Sequence, residues 1–190
     1  EADERRRQPT IASSAGNTTA VLLGDYLISH AFHLCSGLQS QYPSRRIGAT
    51  TNLVCEGELL QNHHRGDLDL TEETYLQIIR RKTGTLTAVS AELGAKFAGA
   101  GDALVGAMHA YGMSAGVAFQ IVDDGLDIVG DQGRVGKTLG RDLPHGNLTL
   151  PVIHCVAHAD RSTLATLRGL LCGSRPCGRD HVRDLLETTQ

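Results

Sequence analysis

No proline occurs between residues 44 and 143, although the chain has five: Pro9, Pro43, Pro144, Pro151 and Pro176. Nothing in that interval obliges a helix to break. The interval also lacks runs that alternate apolar and polar residues with β-branched enrichment, so strands find little support. No apolar run reaches the length of a membrane-spanning helix. Positive charge is not in excess: the net charge is −3, which argues against a nucleic-acid surface. The five cysteines (35, 55, 155, 172 and 177) are odd in number and form no Cys-x-x-Cys pair. A reduced, cytoplasmic protein with unpaired thiols is the simplest account. Cys35 and Cys55 fall on apolar helix faces and are expected in the core.

What is present is a chain of 190 residues, 41% hydrophobic and 21% charged, enough for one domain with a real core. Helical periodicity fits 16–38, 44–63, 71–98, 102–129, 149–159, 161–172 and 178–188. Thr71 followed by Glu72 and Glu73 reads as a helix start, with the acids favoured by the helix dipole. Residues 130–150 hold Gly130, Gly133, Gly136, Gly140, Pro144 and Gly146 and are expected to be mostly loop. Several of the 22 glycines fall inside helical patterns, where each costs about 1 kcal/mol against alanine. Close helix packing, or a ligand approaching the backbone, would account for them.

The densest chemistry lies at Phe119-Gln120-Ile121-Val122-Asp123-Asp124-Gly125-Leu126-Asp127. At helical spacing Asp123 and Asp127 share a face one turn apart, with Asp124 close to that edge. Oxygen ligands with open coordination positions suit Mg²⁺, which normally brings a phosphate with it. Counted from Asp102 as N-cap, Leu104, Met108, Tyr111, Ala115, Phe119, Val122 and Leu126 form one apolar stripe, expected to be core. Tyr111 is read as packing. Gly116, Gln120, Asp123 and Asp127 lie on the adjoining edge, as on a helix that lines a cavity. No Lys or Glu occurs between Asp102 and Asp127, unlike an exposed polar face.

Candidate phosphate ligands are Arg5, Arg6 and Arg7, then Lys82-Thr83, then Lys137-Thr138 beyond the carboxylates. A basic run near a terminus is ordinarily solvated, so three arginines alone decide little. His63-His64 and the pair His154 and His158 have metal-compatible spacing but no third ligand nearby, which disfavours zinc.

Taken in order, Arg5-Arg6-x-x-Pro9-Thr10, Gly24-Asp25, Gly57-Glu58-Leu59-Leu60-Gln61, Lys82-Thr83, Tyr111-Gly112, Phe119-Gln120-x-x-Asp123-Asp124-x-x-Asp127, Gly136-Lys137, Asp142-Leu143 and Thr149-Leu150-Pro151 resemble the all-trans polyprenyl diphosphate synthase family nearly end to end over residues 1–158. The resemblance implies an all-α bundle around a deep central cavity, of the isoprenoid synthase type. It implies a dimeric transferase that condenses isopentenyl diphosphate with an allylic diphosphate, using Mg²⁺ held between two facing aspartate-rich motifs. Asp123, Asp124 and Asp127 match the second of those motifs. Arg5 matches a contact to the allylic diphosphate and Arg6 a contact to isopentenyl diphosphate. Lys82 and Lys137 match lysines on the allylic diphosphate. Thr83 and Gln120 match polar residues near the reacting carbons.

The chain also departs from the family pattern. The first aspartate-rich motif would end just before Glu1-Ala2-Asp3, and the family continues beyond Gln190. Residues 1–190 are therefore expected to be a single, partial copy of the domain, inactive by themselves. Arg7 stands where the family usually has Gly, and Asn147 where a third phosphate-contacting Lys is common. The leading expectation is a long-chain, octaprenyl-type synthase for quinone side chains, resting on Gly57-Glu58-Leu59-Leu60-Gln61. The alternatives are a farnesyl or geranylgeranyl diphosphate synthase, and a non-catalytic subunit of a heteromeric synthase.

Overall fold

A computed structural model describes residues 3–5, 7–135, 139–171 and 179–187. The chain opens with a short antiparallel hairpin, β1 (Glu4–Arg5) and β2 (Gln8–Pro9), with Arg5 opposite Gln8. Helices follow: α1 (Ile11–Ala15), α2 (Asn17–Ser36), α3 (Tyr42–His63), α4 (Glu72–Ile79), a π-helical turn (Arg80–Gly84), α5 (Thr85–Phe97) and α6 (Asp102–Val129). After α6 come a single turn, α7 (Gln132–Val135), a 3-10 turn (Leu143–His145), α8 (Leu150–His158), α9 (Arg161–Leu171) and α10 (Arg179–Glu187). The architecture is all-α apart from the hairpin. The expected helices are all present, with the single pattern over 71–98 divided by the π-turn. Residues 130–150, where described, are mostly loop.

Local chemistry sets the helix ends. Thr71 caps α4, its Oγ1 accepting from the Thr74 amide at 3.2 Å, and Glu72 and Glu73 occupy the first turn. Asp102 is not the N-cap of α6. Gly101 takes that place, and the Asp102 carboxylate accepts from Lys96 Nζ at 2.9 Å. Lys96, at the end of α5, draws the carboxylate outward from the position an N-cap would need.

The core gathers Leu70, Tyr75, Ile78, Ile79, Ile128, Leu143, Leu148, Val152, Ile153, Leu170 and Val182. It joins α4, the C-terminal end of α6, α8, α9 and α10, directly beneath the aspartate segment. Each such aliphatic side chain contributes about 1.5–3 kcal/mol by leaving water.

The α5–α6 contact reverses one expectation. Leu104, Tyr111, Phe119 and Val122, read as the core stripe, are more than half exposed. The helix instead turns Val105, Gly112, Gly116, Asp124, Asp127 and Ile128 inward. The reason is close approach. A Cβ on Gly112 would lie 2.8 Å from the Ala88 Cα, and one on Gly116 would meet the Thr87 hydroxyl. Glycine lets the two backbones nearly touch, and the bulky stripe is left on the far side. Tyr111 is therefore solvent-facing and not packed. Cys55 is likewise exposed and Cys35 only half-buried, while Cys155 is deeply buried. Helix α2 buries no residue, and Val21, Leu22, Tyr26, Leu27, Ile28 and Leu34 are all exposed.

Candidate active site

A cavity of about 630 Å³ opens between the π-turn, α4, the second half of α6 and the loop after it. Arg5, Lys82, Thr83, Gln120, Asp123, Asp124 and Asp127 all line it. Seven expected site residues from three separate stretches of chain thus meet in one place. Leu70, Ile78, Ile79 and Phe119 supply apolar wall. Two expected phosphate ligands, Arg6 and Lys137, lie outside the described residues.

The π-turn explains how Lys82 and Thr83 reach the cavity together. One extra residue in the turn shifts the helical phase, a distortion that is common at functional sites. Opposite it, α3 contributes Gly57, where a Cβ would stand 2.8 Å from the Lys82 amide nitrogen. Lys82 Nζ donates to Gln61 Oε1 at 2.8 Å and pairs with Glu58 Oε1 at 2.9 Å. The Gly57-Glu58-x-x-Gln61 segment therefore receives the backbone of the π-turn and holds its lysine.

The three aspartates have different surroundings. Asp123 is half-buried on the cavity wall. Asp124 is buried and accepts from Tyr75 Oη and from Gln120 Nε2, both at 2.7 Å. Gln120 in turn accepts from Thr83 Oγ1 at 2.8 Å. Asp127 is buried too, and its carboxylate accepts from the amides of Gly140, Arg141 and Asp142 at 2.9, 3.1 and 3.2 Å. It closes the loop after α6. Burial first, then the negative charge of Asp124, holds the Tyr75 hydroxyl far above the ordinary phenol range, so Tyr75 stays a donor at any working pH.

The hairpin is fastened over this loop twice. Arg141 Nη2 meets Asp3 Oδ2 at 3.0 Å, and Arg7 Nη2 donates to the Gly133 carbonyl at 3.0 Å. Arg7 has φ +60° in the tight turn between the strands. That left-handed conformation suits glycine and accounts physically for Gly being usual there. Asn147 also lines the cavity, and its side-chain oxygen is buried with no hydrogen-bond partner among the described residues.

The donor chemistry fits a hard divalent cation held jointly with a diphosphate. Mg²⁺ usually takes one or two carboxylates and completes its shell with water and phosphate oxygens. Among the described residues no three His, Cys, Asp or Glu side chains converge into a cage of their own. His64 Nδ1 pairs with Asp67 at 2.7 Å, and His154 and His158 stack on the surface of α8.

A second polar cluster escaped the sequence reading. Glu92, only 4% exposed, accepts from Tyr42 Oη and Arg46 Nε at 2.5 Å, Arg46 Nη2 at 2.6 Å and His109 Nδ1 at 2.7 Å. It ties α3, α5 and α6 together. The Arg46 hydrogen bonds hold its carboxyl down at about 2. Tyr75 was also missed, because it repeats in phase with Ile78 and Ile79 and reads as packing.

Comparison with known proteins accords with this geometry. The family model described as polyprenyl synthetase matches residues 1–189. The octaprenyl diphosphate synthase of Haemophilus influenzae is 35% identical over 168 residues, covering 88% of this chain and 51% of that protein. Heptaprenyl diphosphate synthase component 2 of Geobacillus stearothermophilus is 38% identical over 157 residues, covering 83% of this chain and 49% of that protein. The crystal structure of a decaprenyl diphosphate synthase from Rhodobacter capsulatus superposes with a TM-score of 0.87 at 34% identity, covering 98% of this chain and 58% of that one. The chain spans about half the length of the curated relatives it matches.

Proposed function

The chain belongs to the polyprenyl synthetase family, and from that premise we propose that its cavity is the diphosphate half of a trans-prenyltransferase site. The reaction is condensation of isopentenyl diphosphate with an allylic diphosphate to give a long-chain polyprenyl diphosphate. The observation that carries this reading is the meeting of Lys82, Thr83, Gln120 and Asp123 on one cavity with a partly apolar wall.

In this proposal Arg5 and Lys82 bind the allylic diphosphate and stabilise the charge that develops on it as the carbon–oxygen bond breaks. Arg6 and Lys137 take the roles of isopentenyl diphosphate ligand and second allylic-diphosphate lysine. Thr83 and Gln120 present their polar atoms toward the reacting carbons. Phe119, Ile78, Ile79 and Leu70 exclude water from the electron-deficient allylic carbon. Asp123, on the cavity wall, would hold the cation, and Asp124 and Asp127 complete the motif. Mg²⁺, when bound, supplies Lewis-acid stabilisation of the departing diphosphate.

The exposed apolar residues of α2 support a homodimer, because a patch of that kind ordinarily marks an interface. Cys35, Cys55 and Cys155 are free, which supports a reducing, cytoplasmic setting. Among the described residues no helix is long and apolar enough to cross a membrane.

The test is calorimetric titration with a non-hydrolysable allylic thiodiphosphate plus Mg²⁺, followed by incubation with labelled isopentenyl diphosphate and chromatography of the products. Metal-dependent binding that is lost in Asp123→Ala is the expected result. Absence of binding would overturn the reading. Products that stop at fifteen or twenty carbons would assign the short-chain alternative. A matching heptaprenyl component keeps one further reading in play, a subunit that binds diphosphate and needs a partner chain to turn over.

A further inference from the structure

Helix α3 ends in a turn that places a histidine on the cavity wall. Gly66, at φ +71°, donates its amide to the Gly146 carbonyl at 2.8 Å. This bond ties the α3–α4 connection to the loop beyond α6, and His64 and Arg65 join the cavity lining. Asp67 then reaches back. Its amide donates to the His64 carbonyl at 3.2 Å, its Oδ2 lies 2.7 Å from His64 Nδ1, and its Oδ1 accepts from the Asp69 amide at 3.0 Å. The His63 ring packs edge-on against the His64 ring, with centroids 5.0 Å apart.

These bonds settle which ring nitrogen carries the proton. The His64 hydrogen bond first, then the Asp69 amide, hold the Asp67 carboxyl below its ordinary range. Asp67 is therefore ionised and can only accept. Nδ1 is the donor, and Nε2 is the nitrogen left for the cavity. A neutral ring offers only a lone pair there, which repels a phosphate oxygen. A second proton makes Nε2 a charged donor, and the Asp67 carboxylate offsets part of that charge from behind. The other charges around the ring are mixed. His63 and Arg65 share its segment, Arg141, Asp142 and His145 stand on the loop beyond α6, and Lys82 stands on the π-turn.

We propose that His64 is a further diphosphate ligand, donating from Nε2 as an imidazolium whose orientation Asp67 fixes. The proposal rests on the reading of the cavity as a diphosphate site. Proton and anion then strengthen each other's binding by the same factor.

The test is calorimetric titration of the full chain with inorganic pyrophosphate and Mg²⁺ at about pH 5.5 and about pH 8, which span the histidine range. Pyrophosphate and other histidines titrate there too, so His64→Gln serves as the reference. Its amide can still donate to Asp67 but carries no charge. The unaltered chain is expected to bind about tenfold tighter than His64→Gln at the acid end, near the lower limit for a charge-assisted bond, and equally at the alkaline end. His64→Lys, charged throughout, should bind tighter than His64→Gln at both. A purely structural role would lower the melting temperature of His64→Gln and leave its affinity equal to that of the unaltered chain at both pH values, and that result overturns the proposal. An equal gain at both pH values overturns it as well.

A further measurement needs no variant. The midpoint of the His64 ring titration, followed by NMR in the unaltered chain, should rise by about one pH unit when Mg²⁺ and pyrophosphate are added, which is the same tenfold read from the proton's side. An unmoved midpoint overturns the proposal. If the unaltered chain binds no pyrophosphate at either pH, the diphosphate reading of the cavity falls too. If it binds and His64→Gln matches it throughout, the cavity reading stands and only the role of His64 falls.

Discussion

Gly57 and Lys82 stand closer than any other residue type at position 57 would allow: a methyl group on Gly57 would lie 2.8 Å from the Lys82 amide nitrogen and 2.9 Å from the Arg81 Cβ. Helix α3 thus presses its backbone against the π-turn that presents Lys82 and Thr83. Gly57→Ala should force α3 and the turn apart, destabilising the fold by about 1–3 kcal/mol. It should also weaken pyrophosphate binding, because the turn that aims Lys82 is displaced. Urea denaturation and calorimetric titration check the two effects. Unchanged affinity with lowered stability would show that the π-turn keeps its aim without α3.

Glu92 gives the fold a defined response to acid. Its folded value near 2 lies below the ordinary 4.5. Its contribution is therefore fully present above about pH 4.5 and is lost as the pH falls toward 2. Glu92→Gln should destabilise the chain at pH 7 by about 1–3 kcal/mol, since Arg46 loses its carboxylate. The difference from the unaltered chain should narrow steadily below pH 4.5. Urea unfolding at a series of pH values checks this, and a constant difference down to pH 2 would refute it.

Two aspartates one turn apart should fail in different ways. Asp123→Ala is expected to leave helix content and melting temperature intact while reducing turnover of the catalytic assembly by orders of magnitude. Asp127→Ala removes the acceptor of three loop amides and should cost about 1–3 kcal/mol. For a chain of this size that is a fall in melting temperature of roughly 2–4 °C for each kcal/mol. Thermal melts followed by circular dichroism separate the two variants.

Asn147 places in the cavity wall a side-chain oxygen with no partner among the described residues. Asn147→Lys should tighten binding of the allylic diphosphate several-fold, within the about 1.5–3 kcal/mol of a new charge-assisted bond. The KM for isopentenyl diphosphate should hardly move. The same substitution with Asp123→Ala should give no gain. Steady-state kinetics of both substrates check it, and equal shifts in both KM values would mean that Asn147→Lys acts through general surface charge.

Much of this arrangement was legible in the order of residues. The polar edge of α6 carrying Gln120, Asp123 and Asp127 does line a cavity, because helical spacing fixes which side chains share a face. Which face is covered was not legible. Spacing separates Gly112 and Gly116 from Tyr111 and Phe119, but it does not say that two backbones will meet through the glycines and keep the aromatics out of the core, Phe119 facing the open cavity. The π-turn was hidden for a related reason, since Arg80 to Gly84 fit an ordinary helical pattern. Nothing in the local sequence marks Glu92 as buried. Its partners Tyr42, Arg46 and His109 come from two other helices, and no local pattern joins them. Arg5, Lys82 and Thr83 stood out as candidate phosphate-side residues and Gln120 by its helical edge, the resemblance attached roles to them, and the cavity brings them together.

The amide cradle around Asp127 bears on how substitutions in this stretch are interpreted. Equal loss of activity at all three aspartates would ordinarily be taken as three metal ligands. Here one carboxylate is clamped by a phenol and an amide, and another fastens the start of a loop, so the same phenotype can have three separate causes. The four-residue interval between Asp123 and Asp127 is then set by helix pitch and by where the chain must turn, as much as by the radius of an ion. A designer who moved this motif to another helix bundle would have to carry the loop with it.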